Sequence, residues 1–143
     1  MKRQPINKTE PFKSVMFLTV LFCVLLLVET GCTGNSTENC SSIQQAFIGK
    51  VDGSKSGNIN QDIPFTLYFG INNGCGKYGS IAETVSGNTR TVSVNTKYEG
   101  CACTAMAGVI TTNYIFKTSQ AGIYYLKFSQ GNNSFIIDTL TIQ

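Results

Sequence analysis

The sequence predicts an all-β fold, a single antiparallel β-sandwich of about seven strands. Three observations predict it. From Ile43 onward apolar residues recur with period two, and turn-forming residues interrupt the alternation at about 8–12-residue intervals. Helical spacing is absent, apart from an ambiguous small-residue stretch, Ala102 to Gly108. A chain of 143 residues accommodates one such domain and is too short for two with separate cores.

The first segment is not part of the sandwich. It carries Lys2, Arg3, Lys8 and Lys13 against one acid, Glu10, followed by the uncharged run Val15 to Val28. Thr30 and Gly31 come next, just before Cys32. A basic start, a short apolar run and a small-residue exit describe a secretory signal over residues 1–31. Fourteen residues at 1.5 Å each are too few for ~30 Å of hydrocarbon, which argues against a permanent membrane anchor. The run Val28-Glu29-Thr30-Gly31-Cys32 resembles the lipobox of bacterial lipoproteins, with Glu29 standing where an apolar residue is usual. That resemblance implies cleavage before Cys32 and lipidation of its sulfur. Ordinary cleavage, releasing a soluble protein, is the alternative. Residues 32–42 are small and polar, as in a flexible tether, which leaves 43–143 for the domain.

The strands follow in order. The segment from Ile43 to Val51 is the weakest. Ile63 to Ile71 is the clearest, with Ile63, Phe65, Leu67, Phe69 and Ile71 on one face and Pro64 marking a start or an edge. Ser86-Gly87-Asn88-Thr89 reads as a two-residue hairpin turn. Ser86 then faces Thr89, Val85 faces Arg90, Ile81 faces Val94, Glu83 faces Val92 and Tyr78 faces Lys97. Ile110 to Phe116 places Ile110, Tyr114 and Phe116 on one side, and Gly122 to Phe128 buries Tyr124, Leu126 and Phe128. In the last strand, Phe135 to Ile142, adjacent Ile136 and Ile137 predict a bulge or burial on both faces. Lys117-Thr118-Ser119-Gln120-Ala121-Gly122-Ile123-Tyr124 resembles the strand–turn–strand corner of immunoglobulin-like domains. That resemblance implies an immunoglobulin-like sandwich in which the Tyr124 ring is buried and its hydroxyl bonds to backbone.

Four cysteines remain beyond Cys23 and Cys32: Cys40, Cys75, Cys101 and Cys103. An even set in an exported chain reads as disulfides. The hairpin register brings Cys75 opposite Gly100, so a single bulge would pair it with Cys101. Cys75 with Cys103 is the second arrangement, and either leaves a partner for Cys40. The competing reading is a soft-metal (Cu or Zn) site of Cys75, Cys101 and Cys103, without histidine, since the chain has none. Thiols oxidise outside the cytoplasm, which favours disulfides.

Other chemistry finds little support. Without histidine the Ser-His and Cys-His dyads are excluded. Glu83 and Glu99 show no identifiable partner, so no catalytic residue is assigned and no cofactor is expected. Past residue 31 seven basic residues stand against six acidic ones, too even a balance for nucleic-acid binding. Tyr68, Tyr125, Tyr78 and Tyr98 are outward candidates able to serve a protein or glycan partner. Asp138-Thr139-Leu140 resembles the O-glycosylation motif of Bacteroidota secreted proteins and marks Thr139 for modification. Asn73-Gly74-Cys75-Gly76 and Tyr98-Glu99-Gly100-Cys101-Ala102-Cys103, with the Gly31-Cys32 lipobox, resemble small Bacteroidota lipoproteins. That resemblance implies a setting and no activity: the cell envelope, with a lipid anchor at the outer membrane facing periplasm or exterior. The role expected is binding or structural, in a monomer. The binding loops expected are Asn72–Tyr78 and Tyr98–Thr104, with Asn73, Gly74, Lys77, Tyr78, Tyr98 and Glu99 as candidates. Inhibition of an exported protease by such a braced loop is a further alternative.

Overall fold

A computed structural model describes residues Cys40 to Gln143. The leader 1–31, Cys32 and the tether as far as residue 39 lie outside the described residues. The first strand opens at Ser41, before Ile43, and Cys40 ahead of it is cross-linked.

Nine strands form two sheets, and no helix occurs among the described residues, Ala102 to Gly108 included. One sheet has the order β2 (Ile48–Gly53), β4 (Ile63–Ile71), β7 (Gly108–Phe116). The other runs β1 (Ser41–Gln45), β6 (Thr89–Glu99), β8 (Gly122–Ser129), β9 (Phe135–Ile142), β3 (Ser56–Gly57), with β5 (Gly76–Ser86) also paired to β6. The expectation of a wholly antiparallel sandwich is corrected here. β6 runs parallel to β8, and β3 parallel to β9. After β6 the chain crosses to the opposite sheet as β7, so β8 returns in the direction of β6; a parallel pair requires such a crossover.

The strand expected over Ile43 to Val51 is two strands in different sheets. Ala46 donates its N–H to Val94 in one sheet, and the Phe47 carbonyl accepts from Gly70 in the other. Ala46 and Ile48 both end in the core while Phe47 stays exposed, so the switch costs no apolar burial. The last strand has neither a bulge nor burial on both faces. Its register with β8 is unbroken; Ile136 packs against the core and Ile137 faces solvent. β3 was not legible at all, being only two residues long.

The core interlocks Ile63, Phe65, Leu67 and Phe69 of β4 with Val92 and Val94 of β6, Leu126 and Phe128 of β8, and Leu140 of β9. Each such side chain contributes about 1.5–3 kcal/mol by leaving water. The Phe65 ring lies 5.8 Å from Phe128 and 6.3 Å from Tyr114, so aromatic contacts join the sheets. The corner expectation holds. Tyr124 is buried, and its hydroxyl donates to the Gln120 carbonyl at 3.0 Å and meets Thr118 Oγ1 at 2.9 Å.

Candidate functional site

The cysteines gather at one end of β6, and the register explains how. Ser86 faces Thr89, Val85 faces Arg90 and Ile81 faces Val94, as the turn predicts. At Gly79 the register slips by one, so Tyr78 faces Thr96 rather than Lys97. A Cβ on Gly79 would lie 2.9 Å from the Asn95 carbonyl oxygen, a closeness only glycine permits. The slip runs away from Cys101 rather than toward it, and the Cys75 carbonyl accepts the Glu99 N–H. On the other edge of β6 β1 pairs Ser41 with Glu99, and the Cys40 carbonyl accepts from Gly100.

Cys40 and Cys75 therefore flank the end of β6 from opposite sides. The pairing Cys75–Cys101 is overturned. The disulfides are Cys40–Cys101, with Cα atoms 5.0 Å apart, and Cys75–Cys103, 5.4 Å apart. Gly100 makes the divergence possible: its φ of 131° suits glycine, and a Cβ there would sit 3.1 Å from Cys75 Sγ. The three sulfurs of the metal reading are thus divided between two bridges. Among the described residues no cluster of three metal-ligating side chains is found.

From Gly100 to Ala107 the chain forms no strand, and only Cys103 is less than exposed. This strap is nonetheless held at Cys101, at Cys103 and through the Thr104 carbonyl, which accepts the Gly74 N–H at 3.0 Å. A Cβ on Gly74 would strike Thr104 Oγ1. Asn73 caps its own turn: its Oδ1 accepts from Cys75 N and its carbonyl from Gly76 N. Met106 in the strap (71% exposed) and Val109 at the start of β7 (70%) present apolar side chains to water. Near them lies a recess of about 340 Å³ lined by Phe47, Gly49, Lys50, Tyr68, Gly70 and Val109. Val109 and Gly70 sit side by side across β4 and β7.

The expected loop residues divide accordingly. Lys77, Tyr78 and Glu99 are exposed at this end. Asn73 and Gly74 build the turn. Tyr98 is not an outward residue: it is 7% exposed, and its hydroxyl accepts the Asn72 N–H. The Gly79 slip turns Tyr78 toward the inner side of its sheet, where its ring meets Phe69 edge-on at 6.5 Å. Tyr68 and Tyr125 keep outward positions, Tyr68 beneath the ammonium of Lys50 at 4.8 Å. Lys77 and Lys97 oppose each other directly, and Glu99, 2.5 Å from Lys97, offsets that repulsion. The Lys97 hydrogen bond, then its charge, holds the Glu99 carboxyl below its ordinary value. Thr139 is exposed on β9, while Asp138 beside it is ion-paired with Lys55.

Glu83 does have partners. It reaches Arg90 at 3.3 Å, and burial, followed by the charge and hydrogen bond of Glu83, raises the pKa of the Tyr114 hydroxyl. Arg90 also lies over the Phe116 ring at 5.7 Å, so this group links β5 and β6 to β7 at the open side of the sandwich. Its place between sheets is structural. The predicted register did contain the clue, since Glu83 and Arg90 are diagonal neighbours across the hairpin.

A two-sheet sandwich with one disulfide-braced end is thus the class of protein that the fold defines. Residues 65–142, more than half of the chain, match the model of the ORF11 β-sandwich domain, and the chain belongs to that family. No curated protein and no solved structure matches it.

Proposed function

We propose that the chain is an exported, lipid-anchored binding module without catalytic activity, which docks a protein through its disulfide-braced end. The observation carrying this reading is the strap, which presents the apolar Met106 to solvent on a backbone pinned at two cystines, with exposed Val109 just after it at the start of β7. Cross-linking fixes the loop before a partner arrives, so association loses less conformational entropy. Two disulfides accord with an oxidising compartment. The Gly31-Cys32 sequence supports lipid attachment at the cell envelope, with the residues up to 39 as the tether. An O-linked glycan on exposed Thr139 is compatible with this arrangement, since Thr139 lies on β9 and outside the strap.

Two experiments test the reading. Metabolic labelling with palmitate should mark the full chain and fail on C32A; equal labelling of both removes the anchor. A photo-crosslinking residue at position 106, in cells that make the protein, should give one discrete protein adduct. The adduct should be absent for a probe at 125 and lost in the C75A/C103A double variant. No adduct, or the same adduct from both positions, overturns docking through the strap.

A further inference from the structure

β6 has two edges, and β5 occupies one along most of its length. The other edge is shared: β8 pairs with Thr89 to Val92, and β1 pairs with Asn95 to Glu99. Between them the strands fork. The Val94 carbonyl is taken by Ala46, and on the outer face of the fork lies an open recess of about 300 Å³. That volume is at the lower end of small-ligand sites.

The lining is of one chemical kind. Gln45 comes from β1, Thr91 and Ser93 from β6, Ser129 from β8, Asn132 and Asn133 from the following turn, and Phe135 from β9. Apart from that one aromatic ring, the side chains are amides and hydroxyls, with no charge among them. Lys127 borders the recess: it pairs with Thr91 across β6 and β8, and its ammonium lies 5.9 Å from the Phe135 ring centroid. Gly131, Asn132 and Asn133 all hold positive φ (76°, 48° and 58°), a conformation unfavourable for the two asparagines yet closed by the Ser134–Gly131 and Gln130–Ser134 backbone bonds.

Ser129 is the most telling member. It is only 6% exposed, and its Oγ accepts from Gln45 Nε2 at 2.7 Å and from Gly131 N at 3.2 Å. Both bonds use its lone pairs, so neither consumes its proton. A hydroxyl fixed in place by two bonds, several neutral amide and hydroxyl groups and an aromatic wall match a molecule rich in hydroxyls and lacking charge.

We infer that the fork between β1 and β8 is a subsite for one residue of a neutral saccharide. The site is distinct from the strap and does not rest on the proposed docking there. Cellohexaose, mannohexaose and chitohexaose, each titrated separately into the full oxidised chain and followed by saturation-transfer NMR, supply the probes, with an oligogalacturonate as charged control. At least one neutral oligosaccharide should bind, and the galacturonate should not. T91V, which removes a hydroxyl while keeping the shape, and N132A should each weaken binding roughly fivefold or more. Y125F, outside the recess, should change nothing. Failure of all three neutral sugars to bind overturns the inference. So does preference for the charged control, or binding indifferent to T91V and N132A in variants whose strand spectrum is native.

Discussion

The middle of the sandwich and its cysteine-bearing end are held by different forces. In the middle, Phe65, Leu67, Phe69, Val92, Val94 and Phe128 are fully buried, and burial of apolar surface supplies the stability. At the end, Gly100 to Ala107 buries almost nothing and is kept in place by two covalent bridges, a glycine at positive φ and backbone bonds from Gly100 to Cys40 and from Gly74 to Thr104. A region built by burial must hide its inward side chains, although its outer faces still show single apolar residues such as Ile43, Ile123 and Ile137. One built by cross-links can expose them and still keep one shape. This is why apolar groups can stand in water at one end without the domain losing its fold.

The largest effect should separate the two regions at once. Phe65→Ala removes a ring that touches both Phe128 and Tyr114, and should cost about 3–5 kcal/mol in a denaturant titration, with the disulfides intact. Next is the paired change C75A/C103A, which opens a loop of 28-residue separation and should cost about 3.5 kcal/mol by chain entropy. Its far-ultraviolet spectrum should remain that of strands. If the strands melt with it at neutral pH, the end is not an independent region.

Tyr124→Phe deletes the hydroxyl bonded to Gln120 and Thr118 and should cost about 1 kcal/mol, leaving the strap untouched. Tyr114 gives a pH signature of the middle. Its proton is held more tightly in the folded state, so the contribution is complete below the ordinary tyrosine value of about 10 and is lost as pH rises beyond it. Tyr114→Phe should flatten alkaline unfolding above about pH 10 relative to the parent chain. An unchanged alkaline limb would mean that burial, with the Glu83 contact added to it, does not hold the Tyr114 proton. The smallest stability effect belongs to the strap: Met106→Asp should stay within about 0.5 kcal/mol of the parent, yet in excess it should fail to compete away the adduct of the position-106 probe, as the parent chain does.

The sequence carried the middle more faithfully than the end, for a physical reason. Period-two burial is local, so Ile63 to Ile71 and Gly122 to Phe128 could be read residue by residue. The turn at Gly87 likewise set the register as far as Ser80. The slip at Gly79 depends on close approach to Asn95, a non-local event, and beyond it the expectations for Tyr78 and the cysteine partners were displaced; Tyr98, by contrast, follows the period-two burial of Val92, Val94 and Thr96 on its own strand. The sheet switch at Ala46–Phe47 and the parallel placement of β8 also rest on long-range pairing that no local pattern encodes. Of the candidate site, the loops and all four cysteines were legible. Met106 and Val109 were not, because exposure of an apolar residue is a property of what fails to cover it.

The most direct test is non-reducing peptide mapping of the chain purified without reductant, with fragmentation between Cys101 and Cys103. The account predicts complete oxidation, with Cys40 linked to Cys101 and Cys75 to Cys103. A bridge from Cys75 to Cys101, or free thiols at these positions, would contradict it.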